Sequence, residues 1–287
     1  MYKKYTPNKN KYIGKGSFGK VYKSNEDESI VIKKIKKRFF DKALQIYNNE
    51  LITITQGHKN LTHIYDYFII DNTFNIVLEY LDGKDLFDII VDNNGLAEPV
   101  YNSEEVIETN DKYNSQLSLE SNMCIKYTIK KLLKALNYLH NNGIVHCDVK
   151  PENIRVLING SIKLFDYTLI NKIESNLYNV GCTFGYAAPE IIFFKYNDIR
   201  YGNKLTGLSD IWSLGIMIYL MVECLHLIPT STKKYISTIL HHNNDNKFNM
   251  KFDMNKWDNE LLKLFDSMVV FDPKNRKSAN EILKEFY

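Results

Sequence analysis

His146-Cys147-Asp148-Val149-Lys150-Pro151-Glu152-Asn153, followed closely by Phe165-Asp166-Tyr167, decides the reading of this chain. Asp148, Lys150 and Asn153 put a proton acceptor, a cation and an amide oxygen in one short loop. Between the two stretches lies Ile154-Arg155-Val156-Leu157-Ile158-Asn159-Gly160-Ser161-Ile162-Lys163-Leu164. It has the pattern of two short strands around an Asn-Gly turn. A hairpin of that length returns Asp166 to the side of Asn153. Two carboxylates and one amide then converge, a donor set suited to Mg2+ and a polyphosphate.

Composition bounds the answer. The chain has 287 residues, 44% hydrophobic and 25% charged. Those are ordinary globular proportions, with room for one large domain or two lobes. A net charge of +3 is too small to argue for nucleic acid. Cys124, Cys147, Cys182 and Cys224 are isolated, with no Cys-x-x-Cys pair. A structural zinc site or disulfide framework is therefore not expected, and a reducing, cytoplasmic setting is. Met1-Tyr2-Lys3-Lys4-Tyr5 lacks the apolar stretch of a signal peptide. The apolar run from Ile211 to Ile228 approaches transmembrane length. However, Ser213, Gly215, Glu223 and His226 interrupt it and Asp210 precedes it. It fits a helix buried in a large lobe better, and no membrane partner is expected. The abundance of Asn, Lys, Ile and Tyr suggests an AT-rich genome, viral or parasitic.

Near the start, Gly14-Lys15-Gly16-Ser17-Phe18-Gly19-Lys20-Val21 is Gly-x-Gly-x-x-Gly-x-Val. Dinucleotide-binding folds use the same glycines but open a helix directly after them. Here Lys20 to Ser24 and Ser29 to Lys33 have strand character instead, which favours a hairpin folded over phosphates. Lys33 ends the apolar strand Ile30-Val31-Ile32 and stands out from Lys34, Lys36 and Lys37 by that position. Later, Met123 to Asn142 is amphipathic, with Ile125, Ile129, Leu132, Leu136 and Leu139 on one face, and Gly143 stops it.

In this order the motifs resemble a eukaryotic-type protein kinase of the serine/threonine superfamily. The resemblance implies an α+β, bilobal fold: an N-lobe antiparallel sheet with one main helix, and a mainly helical C-lobe. It implies a single catalytic domain over residues 1–287, with an N-lobe to about 80, a hinge at about 79–84 and a C-lobe from about 85. A polar, acidic surface insertion covers about 95–117. No regulatory module is expected beside the catalytic domain. ATP and Mg2+ are the implied cofactors. The implied partner is a protein carrying a Ser or Thr acceptor, and the chain is expected to be a monomer.

By the same resemblance, Gly14, Lys15, Gly16, Ser17, Phe18, Gly19 and Val21 cover the phosphates. Lys33 contacts them and pairs with Glu50 in the helical stretch Lys42 to Gln56. Backbone groups of Glu79 to Leu81 face the adenine edge, Leu78 is the gatekeeper, and Val31 and Arg155 wall the base. Asp85 sits near the ribose or caps the helix that follows, and can do both. Asp148 orients the acceptor hydroxyl and takes its proton, and Lys150 steadies the γ-phosphate. Asn153 and Asp166 hold Mg2+. Lys150, with Thr183 ahead of Ala188-Pro189-Glu190, points to serine/threonine rather than tyrosine acceptors. Glu190 is expected to pair with Arg276, and Asp210 to anchor the catalytic-loop backbone.

Five positions depart from the family pattern, Tyr167 in place of the Phe of Asp-Phe-Gly among them. Cys147 replaces the loop Arg that receives an activation-segment phosphate, so activity independent of that phosphate is expected. Thr168 replaces the Gly of Asp-Phe-Gly, which should make Asp166-Tyr167-Thr168 flip less readily. Val31 stands for the usual Ala. Arg155 stands for an apolar floor residue, and its stem or guanidinium can cover a ring. The alternative is a catalytically weak pseudokinase acting as a binding module. Retention of Lys33, Glu50, Asp148, Lys150, Asn153 and Asp166 speaks against it.

Overall fold

Apolar strands separated by short polar turns build an antiparallel sheet in the first part of the chain. The computed structural model describes residues 5–16, 18–92, 122–223, 237, 239 and 257–287. Ser17, Cys224 and the insertion at about 95–117 lie outside the described residues, as do Met1 to Lys4. The chain divides into two compact units, Met1–Asp82 and Gly83–Tyr287.

The first unit holds β1 (Pro7–Lys15), β2 (Gly19–Ser24), β3 (Ile30–Ile35), β4 (Ile64–Ile70) and β5 (Thr73–Glu79), in the order β1-β2-β3-β5-β4. Each neighbouring pair is antiparallel. Strands β3 and β5 carry the core: Ile30, Ile32, Phe74, Ile76 and Val77 are buried. Lys33 lies opposite Val21 on one side and Ile76 on the other.

The expected single helix Lys42 to Gln56 is two helices, α1 (Phe40–Ile46) and α2 (Asn49–Gln56). The physical reason sits at the break. Tyr47 takes an extended conformation and buries its ring 5.9 Å from Phe74. Asn48 is also extended, and its side chain accepts the Leu51 N–H at 2.9 Å. An Asn in that role is a strong helix start, so core packing and a cap together override the continuous helical pattern.

In the second unit a three-stranded sheet, β6 (Gly83–Asp85), β8 (Ile154–Leu157) and β9 (Ile162–Leu164), has the order β6-β8-β9. A two-stranded ladder joins β7 (Ile144–Val145) to β10 (Asn171–Lys172). Gly83 does more than end a strand. A Cβ there would meet the Val156 carbonyl oxygen at 2.0 Å, so the β6–β8 pairing requires glycine.

Around these strands lie α3 (Leu86–Asp92), α4 (Asn122–Asn141), α5 (Pro189–Lys195), α6 (Leu208–Glu223), α7 (Asn259–Met268) and α8 (Ala279–Phe286). The expected apolar face of α4 is the buried one: Ile125, Ile129, Leu132, Leu136 and Leu139 have no exposed surface. It packs on α6, α8, β7 and β9. In α6 every residue from Ser209 to Glu223 is buried, as a helix apolar all round must be in a soluble core. The stretch 224–228 lies outside the described residues. Among the described residues no helix is long and apolar enough to cross a membrane.

Candidate active site

The loop from His146 to Asn153 is held from below. Asp210, at the start of α6 and 1% exposed, accepts the backbone N–H of His146 and of Cys147, each at 2.8 Å. Its Oδ2 also meets His140 Nε2 at 2.9 Å. Cys147 takes φ of 66°, a left-handed conformation. Such a backbone persists only where surrounding contacts over-determine it, and the two bonds to Asp210 do so here.

His146 is fully buried, and burial holds its pKa below the ordinary histidine range. The neutral ring fits its contacts. Nε2 donates to the Phe165 carbonyl at 3.2 Å, and Nδ1 accepts the Asp148 N–H at 3.3 Å. One imidazole thus ties the His146–Asn153 loop to the segment that carries Asp166.

Asp148 is 5% exposed, and both of its carboxylate oxygens are engaged. Oδ1 accepts from the Thr183 hydroxyl at 2.6 Å. Oδ2 accepts from Asn153 Nδ2 at 2.7 Å and lies 2.8 Å from Lys150 Nζ. Lys150 Nζ also donates to the Thr183 hydroxyl at 2.7 Å. Burying a carboxylate is costly unless it has such hydrogen-bond partners. The arrangement pairs a carboxylate with a cation, both in contact with one hydroxyl.

The hairpin returns as its spacing predicts. Ile154 pairs with Leu164, Arg155 with Lys163 and Val156 with Ile162. Gly160 N–H donates to the Leu157 carbonyl and Leu157 N–H to Ser161. With Gly160 at φ of 77°, this is a three-residue hairpin loop closed by a left-handed glycine. Beyond β9, Phe165 N–H donates to the Asn153 carbonyl at 2.9 Å. That single bond sets Asp166 next in chain to a residue anchored on Asn153.

The donor set fits a hard cation. Asn153 Nδ2 gives its hydrogens to Asp148, to the carbonyl at 2.8 Å and the carboxylate at 2.7 Å. What the amide has left to offer is its oxygen. That oxygen and the Asp166 carboxylate are the oxygen donors that could hold Mg2+, which takes one or two carboxylates plus substrate phosphates. Among the described residues no cluster of three or more His, Cys, Asp or Glu is placed to hold a metal.

Other expected residues have structural partners. Asp85 Oδ1 accepts the Asp88 N–H at 2.9 Å, so it does cap α3. Arg155 Nη1 donates to the Gly83 carbonyl at 3.2 Å, and its guanidinium lies 5.6 Å from the centre of the Phe165 ring. Its charge is within cation–π reach of an aromatic ring of the protein itself.

Lys33, Val31, Glu50, Glu79, Leu81 and the glycine-rich loop belong to the first unit. Lys33 is 8% exposed, which sets it apart from Lys34 and Lys36, half-buried, and Lys37, exposed. Val31 is buried. Glu50 is exposed in the first turn of α2. Glu79 Oε2 accepts the His63 N–H at 3.1 Å, while Leu81 is half-buried. In the loop, Gly14 and Gly16 have open space where a Cβ would stand. Gly19 does not: a Cβ there would meet the Lys34 carbonyl at 2.1 Å. That glycine is demanded by the β2–β3 ladder itself. The loop is also tied to the segment after β3, by Lys36 N–H to the Phe18 carbonyl at 2.8 Å and by the Phe18–Phe39 ring pair at 4.9 Å.

Two features are invisible in the motifs. Cys147 sits in a buried apolar cluster with Val145, Leu177, Val180, Ile191 and Leu205, with Cys182 packed against it. Burial pushes the Cys182 thiol up to about 11, which makes it a poor nucleophile. The second is the Thr168 hydroxyl, which donates to Asp166 Oδ1. The cluster has a faint sequence signal, the apolar spacing of Leu177, Val180 and Ile191; the hydroxyl bond has none.

Glu190 and Arg276 form the expected pair. Nη1 and Nη2 meet Oε1 and Oε2 at 2.9 and 3.0 Å, with the Arg276 side chain fully buried. Arg276 also donates to the carbonyls of Leu208, Val270 and Phe271, so all five of its donors are used.

Comparison with known proteins bears on the family and the fold. Residues 8–287 match the protein kinase domain family. The chain is 33% identical to the serine/threonine-protein kinase shk1/pak1 of Schizosaccharomyces pombe, across 95% of this chain and 37% of that protein. It is 28% identical to the serine/threonine-protein kinase STE20 of Candida glabrata, across 95% of this chain and 27% of that one. It is 27% identical to the serine/threonine-protein kinase PAK 5 of Rattus norvegicus, across 94% and 34%. The chain thus spans about a third of the length of these relatives. With the family model matched from the first strand to the last residue, this chain belongs to the protein kinase domain family.

Proposed function

We propose that this chain catalyses ATP-dependent phosphoryl transfer to serine or threonine hydroxyls of proteins, with Mg2+ as cofactor. The observation that carries this is the Asp148–Lys150–Thr183 triangle, closed by contacts of 2.6 to 2.8 Å. It supports a base, a cation and a hydroxyl-reading group at one point. The names of the relatives favour serine and threonine acceptors.

Phosphoryl transfer asks a protein for positioning and charge neutralisation more than for covalent chemistry. The acceptor alcohol would displace the Thr183 hydroxyl from Asp148 Oδ1. Asp148 would then orient it and take its proton as the new O–P bond forms and the bond to the leaving diphosphate breaks. Lys150 would offset charge on the transferred group. Bound Mg2+ would neutralise phosphate charge, and Asn153 and Asp166 are the oxygen ligands that fit it. Lys33, a buried ammonium, would hold the remaining phosphates, with Glu50 its expected partner.

The test is phosphate incorporation from radiolabelled ATP into a generic protein substrate. Wild-type protein with Mg2+ should incorporate label; Lys33→Met, and wild type with the divalent cation chelated, should not. Equal label in all three samples would remove the enzyme reading.

Cys147 supports a second expectation. Its apolar cluster holds residues of the 169–205 stretch by burial, where a loop Arg would need a phosphate. Phosphatase treatment should therefore leave the rate unchanged. Cys147→Arg should be costly, because an unpaired guanidinium would enter an apolar cluster, at about 3–5 kcal/mol. A lowered thermal midpoint without any gain in phosphate-dependent activity is expected. Loss of activity on phosphatase treatment of the wild type would overturn this.

A further inference from the structure

We infer that Thr168 is a positioning residue that sets the orientation of the Asp166 carboxylate for its divalent cation. The inference rests on the phosphotransfer reading and deepens it.

Thr168 is 2% exposed, and both of its donors reach the same oxygen. The hydroxyl donates to Asp166 Oδ1, and the backbone N–H reaches that atom at 3.3 Å. Asp166 itself has φ of 65° and ψ of 76°, and caps one turn of 3-10 helix over Tyr167–Leu169. An Asp tolerates that left-handed conformation better than most residues, since its short side chain bonds locally.

The anchors on either side leave this conformation little freedom. Upstream, both backbone groups of Phe165 are engaged, N–H on Asn153 and carbonyl on His146. Downstream, the Tyr167 ring is 2% exposed and stands edge-on to His146 at 5.9 Å. The backbone frame would hold with glycine at position 168. The side-chain bond would not, because glycine has no hydroxyl.

The consequence is chemical. A carboxylate hinged at Cβ and Cγ samples several orientations, and a cation that needs one of them must order it on binding. A hydroxyl bonded to Oδ1 removes that freedom beforehand, as partners of metal-binding side chains generally do. Thr168 is β-branched, so its own χ1 is stiff and the clamp does not wander. This chain therefore exchanges the mobility of a glycine for a pre-set ligand.

The experiment measures metal binding apart from turnover. Mn2+ replaces Mg2+ as a paramagnetic probe, and its dissociation constant is read by electron paramagnetic resonance with a non-hydrolysable ATP analogue. Thr168→Val keeps the shape and removes the donor; Thr168→Ser keeps the donor and loses the methyl. Thr168→Val should weaken Mn2+ binding by about tenfold, the low end for loss of a ligand's supporting bond. Thr168→Ser should restore it, while affinity for the metal-free nucleotide stays constant in both. In turnover, Thr168→Val should need more Mg2+ and recover kcat as Mg2+ is raised. If Thr168→Val does not fold, Thr168→Ala carries the same expectation.

Wild-type binding by a folded hydroxyl-less variant would overturn the clamp and leave the phosphotransfer reading intact. So would a serine variant as weak as the valine one. Absence of nucleotide-dependent Mn2+ binding in the wild type would overturn both.

Discussion

Asp148→Asn should reduce phosphate incorporation by about 10²- to 10⁴-fold, the range for loss of a general base. The substitution is almost isosteric. The amide oxygen can still accept from Asn153 and Lys150 at the place of Oδ2, and its NH2 can donate to the Thr183 hydroxyl. Folding should therefore survive, and the thermal midpoint should stay within a few degrees. What is lost is the negative charge that pairs with Lys150 and, in the proposed mechanism, accepts a proton. Initial rates with saturating nucleotide, beside a melting curve, separate the two effects. A rate near wild type would show that Asp148 does no proton chemistry, and the proposed mechanism would fall.

Arg276→Ala should produce the largest loss of stability. It removes a fork whose donors satisfy both Glu190 oxygens and the carbonyls of Leu208, Val270 and Phe271. Glu190, 5% exposed, would be left as a buried charge without that partner. Breaking a buried pair on one side costs about 3–5 kcal/mol. For a domain of this size that lowers Tm on the order of 10 °C. The cavity beside the Trp212 ring, which the guanidinium faces at 5.2 Å, adds to the loss. Replacing both partners together, Glu190→Met with Arg276→Met, should recover much of it, because no orphaned charge remains. Equal melting of Arg276→Ala and wild type would mean the pair contributes nothing.

Legibility differed from element to element. The β8–β9 hairpin was readable because its register follows from a local turn and from residues close in sequence. The buried face of α4 was readable from spacing alone, since 3.6-residue periodicity maps directly onto one side of a helix. The α1–α2 break was not. Its cause is Tyr47 meeting Phe74, a contact between residues far apart in sequence. Nothing local said that a cap at Asn48 would win over a continuous helical pattern. The need for glycine at Gly19 and Gly83 likewise comes from strands that approach from elsewhere in the chain.

Sequence alone determined the family, the two-part α+β architecture and the hairpin that follows Asn153. Those depend on residue type at fixed spacing, within loops and a hairpin too short to fold another way. Tertiary structure alone decided which partner each polar group has. It turned Cys147 from a missing arginine into part of an apolar cluster, and Thr168 from a stiff substitute into a bond on Asp166. Such bonds depend on tenths of an ångström and on left-handed backbone angles held by surrounding contacts. One-dimensional spacing carries no record of either.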